Sequence, residues 1–281
     1  MTTLVLPLPE LTKGRFASLD AYTDEKLFAT TGVRIAFTTR QGGFSRGCYG
    51  SLNLGHHVDD CLETVLRNRH VVQESFGCAD APLVVPNQVH GDALVNVRDV
   101  GQAESAQHLA AEGADGVLVD VPGAAALLCF ADCVPVIIAS PTGRFAVVHA
   151  GWRGVDNLIS VKAAHALARA DADCLGQSAV SQLNVYIGPH IGAECFETGK
   201  DVHSRFKQKF GEACVFDGTH IDLAAALRVQ LEGIGVSADR ICDLGKCTVC
   251  CNEEFFSYRA QGGVCGRHGA FAYRFPTCSE E

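Results

Sequence analysis

The chain has 281 residues, 47% of them hydrophobic and 20% charged, with a net charge of −9 at neutral pH. That is enough apolar material for a sizeable core and too much for a disordered chain. No run of Arg or Lys is present to meet a phosphate backbone, so nucleic-acid binding is excluded and small or neutral substrates, met by a few local arginines, are expected.

The longest apolar stretch, near Val121–Ile138, is broken by Asp132 and two prolines, so no membrane-spanning helix is expected. The opening MTTLVLPLPE lacks the charged start and long apolar centre of a signal peptide. A cytoplasmic protein, monomeric or weakly homo-oligomeric, is the expectation. The fourteen cysteines then read as thiols in a reducing compartment, most of them buried or half-buried.

In chain order, residues 1–30 read as a loosely attached start, and Val33–Thr39 as a β-branched strand. Gln41–Gly50, rich in Gly, Ser and Arg, is a loop. A helix starts near Asp59–Asp60, with Asp60 and Glu63 in capping-box spacing and Gly77 as the stop. Short apolar strands follow at Leu83–Val85, Ala93–Val97, Gly116–Val119, Ala125–Phe130, Pro135–Ala139 and Phe145–His149. Asp156–Arg169 reads as a helix, Leu183–Ile187 as a strand, Gly199–Phe210 and Asp222–Gly233 as helices, and Ala270–Phe275 as a last strand. Strands cluster centrally instead of alternating with helices, and no linker divides the chain. The expectation is a single α+β domain over residues 1–281, with layered mixed β-sheets flanked by helices.

Three segments place a candidate ligand where an apolar strand meets a polar or glycine-rich turn. They are Pro86-Asn-Gln-Val-His90-Gly, Phe130-Ala-Asp-Cys133-Val-Pro and Val148-His149-Ala-Gly-Trp-Arg-Gly154. Two imidazoles and a thiolate suit Zn²⁺, and three protein ligands leave a fourth position for water or substrate. Their separations match no compact zinc motif, so core roles for the same residues stay open.

These segments resemble signature blocks of a family variously labelled polyphenol oxidase or laccase-domain, peptidoglycan editing factor, and purine nucleoside phosphorylase. Further blocks agree: Thr38-Thr-Arg-Gln-Gly-Gly-Phe-Ser45, Ser51-Leu-Asn-Leu-Gly55 with Asn68-Arg69, Ala114-Asp-Gly-Val117, Ile187-Gly-Pro189 with Cys195-Phe-Glu197, and Phe255-Phe-Ser-Tyr-Arg259. The resemblance runs from about residue 33 to the end. It implies an α/β/β/α sandwich like that of cysteine-hydrolase toxins and a zinc site on His90, Cys133 and His149. It also implies phosphorolysis of inosine, adenosine, guanosine and methylthioadenosine, and deamination of adenosine. Cys133, His149 and Asp132 are then the expected catalytic residues, with Asp132 as the assisting acid. Arg40, in a loop whose amides can cradle an anion, Asn53 and Arg153 are the expected contacts to nucleoside and phosphate.

Other readings compete. Cys133 and His149 also make a nucleophile–base pair for a thiol hydrolase or amidase editing peptidoglycan precursors, and His90 is superfluous for such a dyad. Copper ranks below zinc, because there is no His-x-His pair and one Met. A metal-stabilised binding module is the non-enzymatic reading. Cys247-x-x-Cys250 with Cys265-x-x-His268 has the form of a zinc knuckle. His190 and Ala260 depart from the family pattern, and His56 and His57 are within reach of a pocket.

Overall fold

Six-residue runs such as Ala125–Phe130, Val134–Ala139 and Phe145–Ala150 are buried at every position. A strand carries such a run when both of its faces are covered. The computed structural model, which describes residues 5–175 and 180–276, shows how. One six-stranded sheet runs in the order Thr12–Phe16, Leu19–Thr23, Val33–Thr38, His268–Arg274, Ala125–Phe130, Leu83–Val84. A second runs Ile241–Asp243, Asn184–Ile187, Val134–Ala139, Phe145–Ala150, Gly116–Val119, Leu94–Val97. Both are mostly antiparallel, with a parallel pairing at one edge of the first and at both edges of the second.

The period of two along each strand sorts side chains into layers. Ala126, Leu128 and Phe130 point inward and meet Ile137, Phe145 and Val147 of the other sheet. Ala125, Leu127 and Cys129 point outward, towards Leu52, Leu54 and the end of helix Leu62–Ser75. On the far side, Val134, Val136 and Ile138 lie against helices Ile159–Leu175, Lys200–Phe210 and Leu223–Gly233. The result is a single α+β domain of two mixed sheets between helical layers. No helix among the described residues is long and apolar enough to cross a membrane.

Of the strands read from sequence, two keep their bounds, Gly116–Val119 and Ala125–Phe130, and the others shift by one or two residues at one or both ends. Other expectations are corrected. Residues 12–31 are not loosely attached: they form two strands of the first sheet and helix Glu25–Thr31. The edge strand Thr12–Phe16 shows polar residues to solvent, which hides it from a hydrophobicity reading, whereas Leu19, Ala21 and Leu27 are fully buried. Asp24 caps that helix through Lys26 N and Leu27 N, and accepts the Tyr186 hydroxyl. Residues 1–4 lie outside the described part. The Asp60–Glu63 capping box does not form, because Asp60 accepts from Ser45 Oγ and Asn53 Nδ2 while Cys61 takes the cap position. The helix expected over 156–169 is two helices, Trp152–Asp156 and Ile159–Leu175, separated by Leu158 at φ 63°. Helix Ala103–Glu112, which was missed, packs against the edge strands of both sheets.

The N-terminal hairpin is fastened by charge as well as by its ladder. Glu254 accepts from Lys13 Nζ, Tyr22 Oη and Lys246 Nζ at 2.7–2.8 Å. Burial pushes this carboxyl up, but the lysines and the tyrosine outweigh it and hold it at about 2. A carboxyl depressed below its unfolded value, about 4.3, contributes stability above that value and loses it as pH falls towards 2. Glu254→Gln is therefore expected to lower the melting temperature at neutral pH and to flatten its decline between about pH 4 and 2. An unchanged acid limb in a calorimetric pH series counts against this role.

Candidate active site and metal centre

The site is built from strand register. Strands Val134–Ala139 and Phe145–Ala150 pair antiparallel, Val134 opposite Ala150 and Pro135 opposite His149. One step further along, Cys133 falls opposite Gly151. A Cβ on Gly151 would lie 3.2 Å from Cys133 Sγ and 3.2 Å from His90 Cδ2, so the missing side chain is the space the cluster occupies. His90 reaches it from a turn at φ 58°, a conformation that L-residues hold only with support.

Asp115 gives that support. This fully buried residue precedes strand Gly116–Val119, beside the strand that carries His149. Its carboxylate accepts the backbone N–H groups of Val89 (3.3 Å), His90 (3.0 Å) and Gly91 (2.6 Å). It also accepts His149 Nδ1–H at 2.7 Å, which leaves Nε2 for Cys133. His90, Cys133 and His149 thus place their ligand atoms within 4.8 Å of one another. Two imidazoles and a thiol form a group that can hold a metal ion.

Burial pushes the Cys133 thiol up, but His149 and His90 reverse the effect and hold it at about 6. Burial drives the His149 imidazole down, whereas Cys133 and Asp115 carry it up to about 9. Each group favours the charged form of the other, and a metal cation entering the site would take the place of a proton shared by the pair.

The trio lines a cavity of 470 Å³, within the range of small-molecule sites. Trp152, Phe196 and Tyr258 give it aromatic walls, and Arg153, Arg259 and Arg267 give it positive charge. Arg153 lies over the Trp152 ring at 4.5 Å and has no carboxylate partner among the described residues. Arg259 is anchored through Cys195 O and Glu197 O, and Arg267 through Cys265 O and Gly266 O. His57 also reaches the cavity, and burial followed by Arg267 drives its imidazole down to about 4. His56 instead meets Arg69 outside it.

Other expected site residues are placed elsewhere or differently. Arg40 does not line the cavity: it donates to Gly50 O and Asn252 O and lies over Phe256, tying two loops together. Asn53 is fully buried and holds Gly55 N, Arg267 N and Asp60. Asp132 lines the cavity, but Thr248 Oγ1 and Arg259 N donate to its two oxygens, so it positions loops, and the orienting of His149 falls to Asp115. Cys265 and His268 do not join Cys247 and Cys250. Cys265 Sγ accepts from Arg267, and His268 is buried between Phe130 and Phe255. His190 turns away to Gly188 O. Sequence reading missed Asp115 and Arg267 as site residues. Asp115 stands in the Ala-Asp-Gly-Val block, where the glycine after a strand-initiating aspartate was the available signal.

The family described as multi-copper polyphenol oxidoreductase laccase matches residues 34–274. The chain belongs to that family. It is 33% identical over 257 residues to purine nucleoside phosphorylase YlmD of Geobacillus stearothermophilus, covering 86% of this chain and 90% of that one. It is 32% identical over 253 residues to adenosine deaminase RL5 of an unknown prokaryotic organism, covering 86% and 94%. The crystal structure of YlmD from Geobacillus stearothermophilus matches with a TM-score of 0.80 at 29% identity, covering 95% of this chain and all of that one.

Asp115→Asn keeps the shape of the residue and removes the charge that orients His149 and gathers the His90 turn. It is expected to weaken metal binding at the trio by about 10–100-fold, measured by competition with a chromophoric chelator. An affinity equal to wild type contradicts the assigned role.

Proposed function

We propose that this protein is a zinc-dependent enzyme that cleaves purine nucleosides with phosphate and also deaminates adenosine. The observation that carries the reading is the junction of a three-donor His90–Cys133–His149 cluster with a cavity lined by aromatic rings and by Arg153, which has no carboxylate partner among the described residues. The names of the relatives support the same substrate class. Inosine, adenosine, guanosine and methylthioadenosine are the proposed nucleosides, and the cytoplasm is the proposed location.

His90, Cys133 and His149 fit Zn²⁺ by donor type, with one position left open. A zinc ion there supplies Lewis acidity towards a purine heteroatom or a water. The chain's own residues do the rest. The rings of Trp152, Phe196 and Tyr258 offer faces on which a purine stacks. Arg153, with Arg259 and Arg267 nearby, holds phosphate by charge-assisted hydrogen bonds. In phosphorolysis a phosphate oxygen bonds to C1′ of the ribose while the glycosidic C–N bond breaks, its electron pair leaving on the purine. Positive charge at the pocket favours that developing anion. In deamination water adds at C6 and ammonia departs. Asp115 keeps His149 in one tautomer throughout.

One observation favours a second reading. Cys133, His149 and Asp115 form a chain of nucleophile, base and orienting carboxylate, as a thiol amidase acting on peptidoglycan precursors requires. Metal dependence separates the two. Inosine and phosphate with zinc-loaded protein are expected to give hypoxanthine, and adenosine is expected to give adenine and inosine, as followed by chromatography. Absence of base release from zinc-loaded protein refutes the phosphorylase, and activity that survives zinc removal favours the thiol enzyme.

Arg153→Ala is expected to raise the phosphate KM roughly tenfold or more, the worth of one charged hydrogen bond, with a smaller change in the nucleoside KM. Equal effects on both substrates would place phosphate elsewhere.

A further inference from the structure

Behind one wall of the cavity lies a second group of metal-ligating side chains. Glu194, Cys195, Cys247 and Cys250 place their ligand atoms within 4.8 Å of one another. Two tight turns bring them together. Cys195 N and Phe196 N both donate to Gly192 O, which folds Glu194 and Cys195 into one turn. Cys251 N donates to Cys247 O, which closes a helical turn with Cys247 and Cys250 on one side of it. The two turns are joined directly, since His190 N donates to Lys246 O and Thr248 N to His190 O.

The spacing suits a tetrahedral ion. A Zn–S bond of about 2.3 Å and a Zn–O bond of about 2.1 Å imply tetrahedral edges of about 3.8 Å between sulfurs and about 3.6 Å between sulfur and oxygen. Cys195 Sγ and Cys250 Sγ are 3.7 Å apart, and Cys250 Sγ is 3.7 Å from Glu194 Oε1. The third sulfur, Cys247 Sγ, accepts Gly192 N–H at 3.2 Å, the kind of outer hydrogen bond that steadies a thiolate ligand. Three thiols and a carboxylate fill four positions and leave none for substrate, which marks a structural site.

We propose that Glu194, Cys195, Cys247 and Cys250 bind a second, structural Zn²⁺ that clamps the loop around Ile191–Glu197 to the loop around Cys247–Arg259. Both loops line the active cavity, through Ile191 and Phe196 on one and Tyr258 and Arg259 on the other. Arg259 donates to Cys195 O and Glu197 O, and Thr248, inside the Cys247–Cys250 turn, donates to Asp132. The ion therefore fixes the wall that carries Phe196 and Arg259, and it is independent of the His90–Cys133–His149 centre.

The test is metal stoichiometry on the full chain, purified under reducing conditions and loaded with zinc. Wild type is expected to retain two equivalents after desalting, His90→Ala/His149→Ala one, and Cys195→Ser/Cys250→Ser one. Cobalt read-out covers the case in which the cysteine variant fails to fold. In the His90→Ala/His149→Ala protein, whose second cluster is intact, Co²⁺ is expected to give the intense thiolate-to-cobalt charge-transfer band of a three-thiolate tetrahedral site. Glu194→Gln is expected to shift the visible d–d bands of the bound cobalt without abolishing binding. Three results overturn the proposal. One is a single equivalent in wild type that vanishes completely in folded His90→Ala/His149→Ala. Another is a cysteine variant with undiminished metal content. The third is a Cys195–Cys250 disulfide found by non-reducing peptide mapping of the zinc-loaded protein.

Discussion

The buried carboxylate of Asp115 is the constraint on which the site depends. Four N–H donors converge on it: three from the backbone of the His90 turn and one from the His149 ring. A carboxylate taken out of water is costly unless its oxygens are satisfied, and here every donor belongs to an element that the site must hold still. Burial pushes the Asp115 carboxyl up, but His149 and the amides of Gly91 and Val89 keep it below its ordinary value. The same bonds make His90 tenable at positive φ and fix the His149 tautomer. Asp115 and the Cys133 thiolate thus put negative charge beside the two imidazoles, where a cation would meet it.

Around that fixed point the cavity divides into two kinds of wall. The side that carries the His90–Cys133–His149 cluster is set by strands of the second sheet, whose register admits no slip because both faces are buried. The opposite side comes from loops that carry Phe196, Tyr258, Arg259 and Arg267. Loops have no ladder to stiffen them, so their order rests on side chains. Asp132 gathers Thr248 and the Arg259 backbone, and Arg40 and Asn53 gather the glycine-rich segments behind. Of the polar residues that sequence alone suggested for substrate, Arg40 and Asn53 thus lie behind the cavity and hold segments next to it, whereas Arg153 lines it.

What was legible followed from local pattern. Continuous apolar runs gave Ala125–Phe130 and Gly116–Val119 within their observed bounds, and strand ends gave the three donors. Long-range partnership was not legible. Arg40 stands in a loop suited to cradle an anion, yet its guanidinium is taken by a carbonyl of Asn252, a residue far along the chain that no spacing rule connects to it. Cys247 and Cys250 gave a motif, but their partners come from Glu194 and Cys195 and not from the nearer Cys265 and His268. Edge strand Thr12–Phe16 has only one face to bury and few apolar residues, so periodicity could not find it.

The family description speaks of several coppers, and the donors bear on that. Two imidazoles and a thiolate are also the trigonal set of a blue-copper site, where a long axial Met completes the shell. The only Met is Met1, and a multicopper oxidase needs a further group of histidines to take the electrons to oxygen. Among the described residues the cavity adds only His57 to the trio. Its other contents are aromatic faces and arginines, groups that bind a planar base and an anion. A cavity with one three-donor cluster and three guanidinium groups is therefore better matched to polar group transfer on a phosphate-dependent substrate than to stepwise electron removal from a phenol.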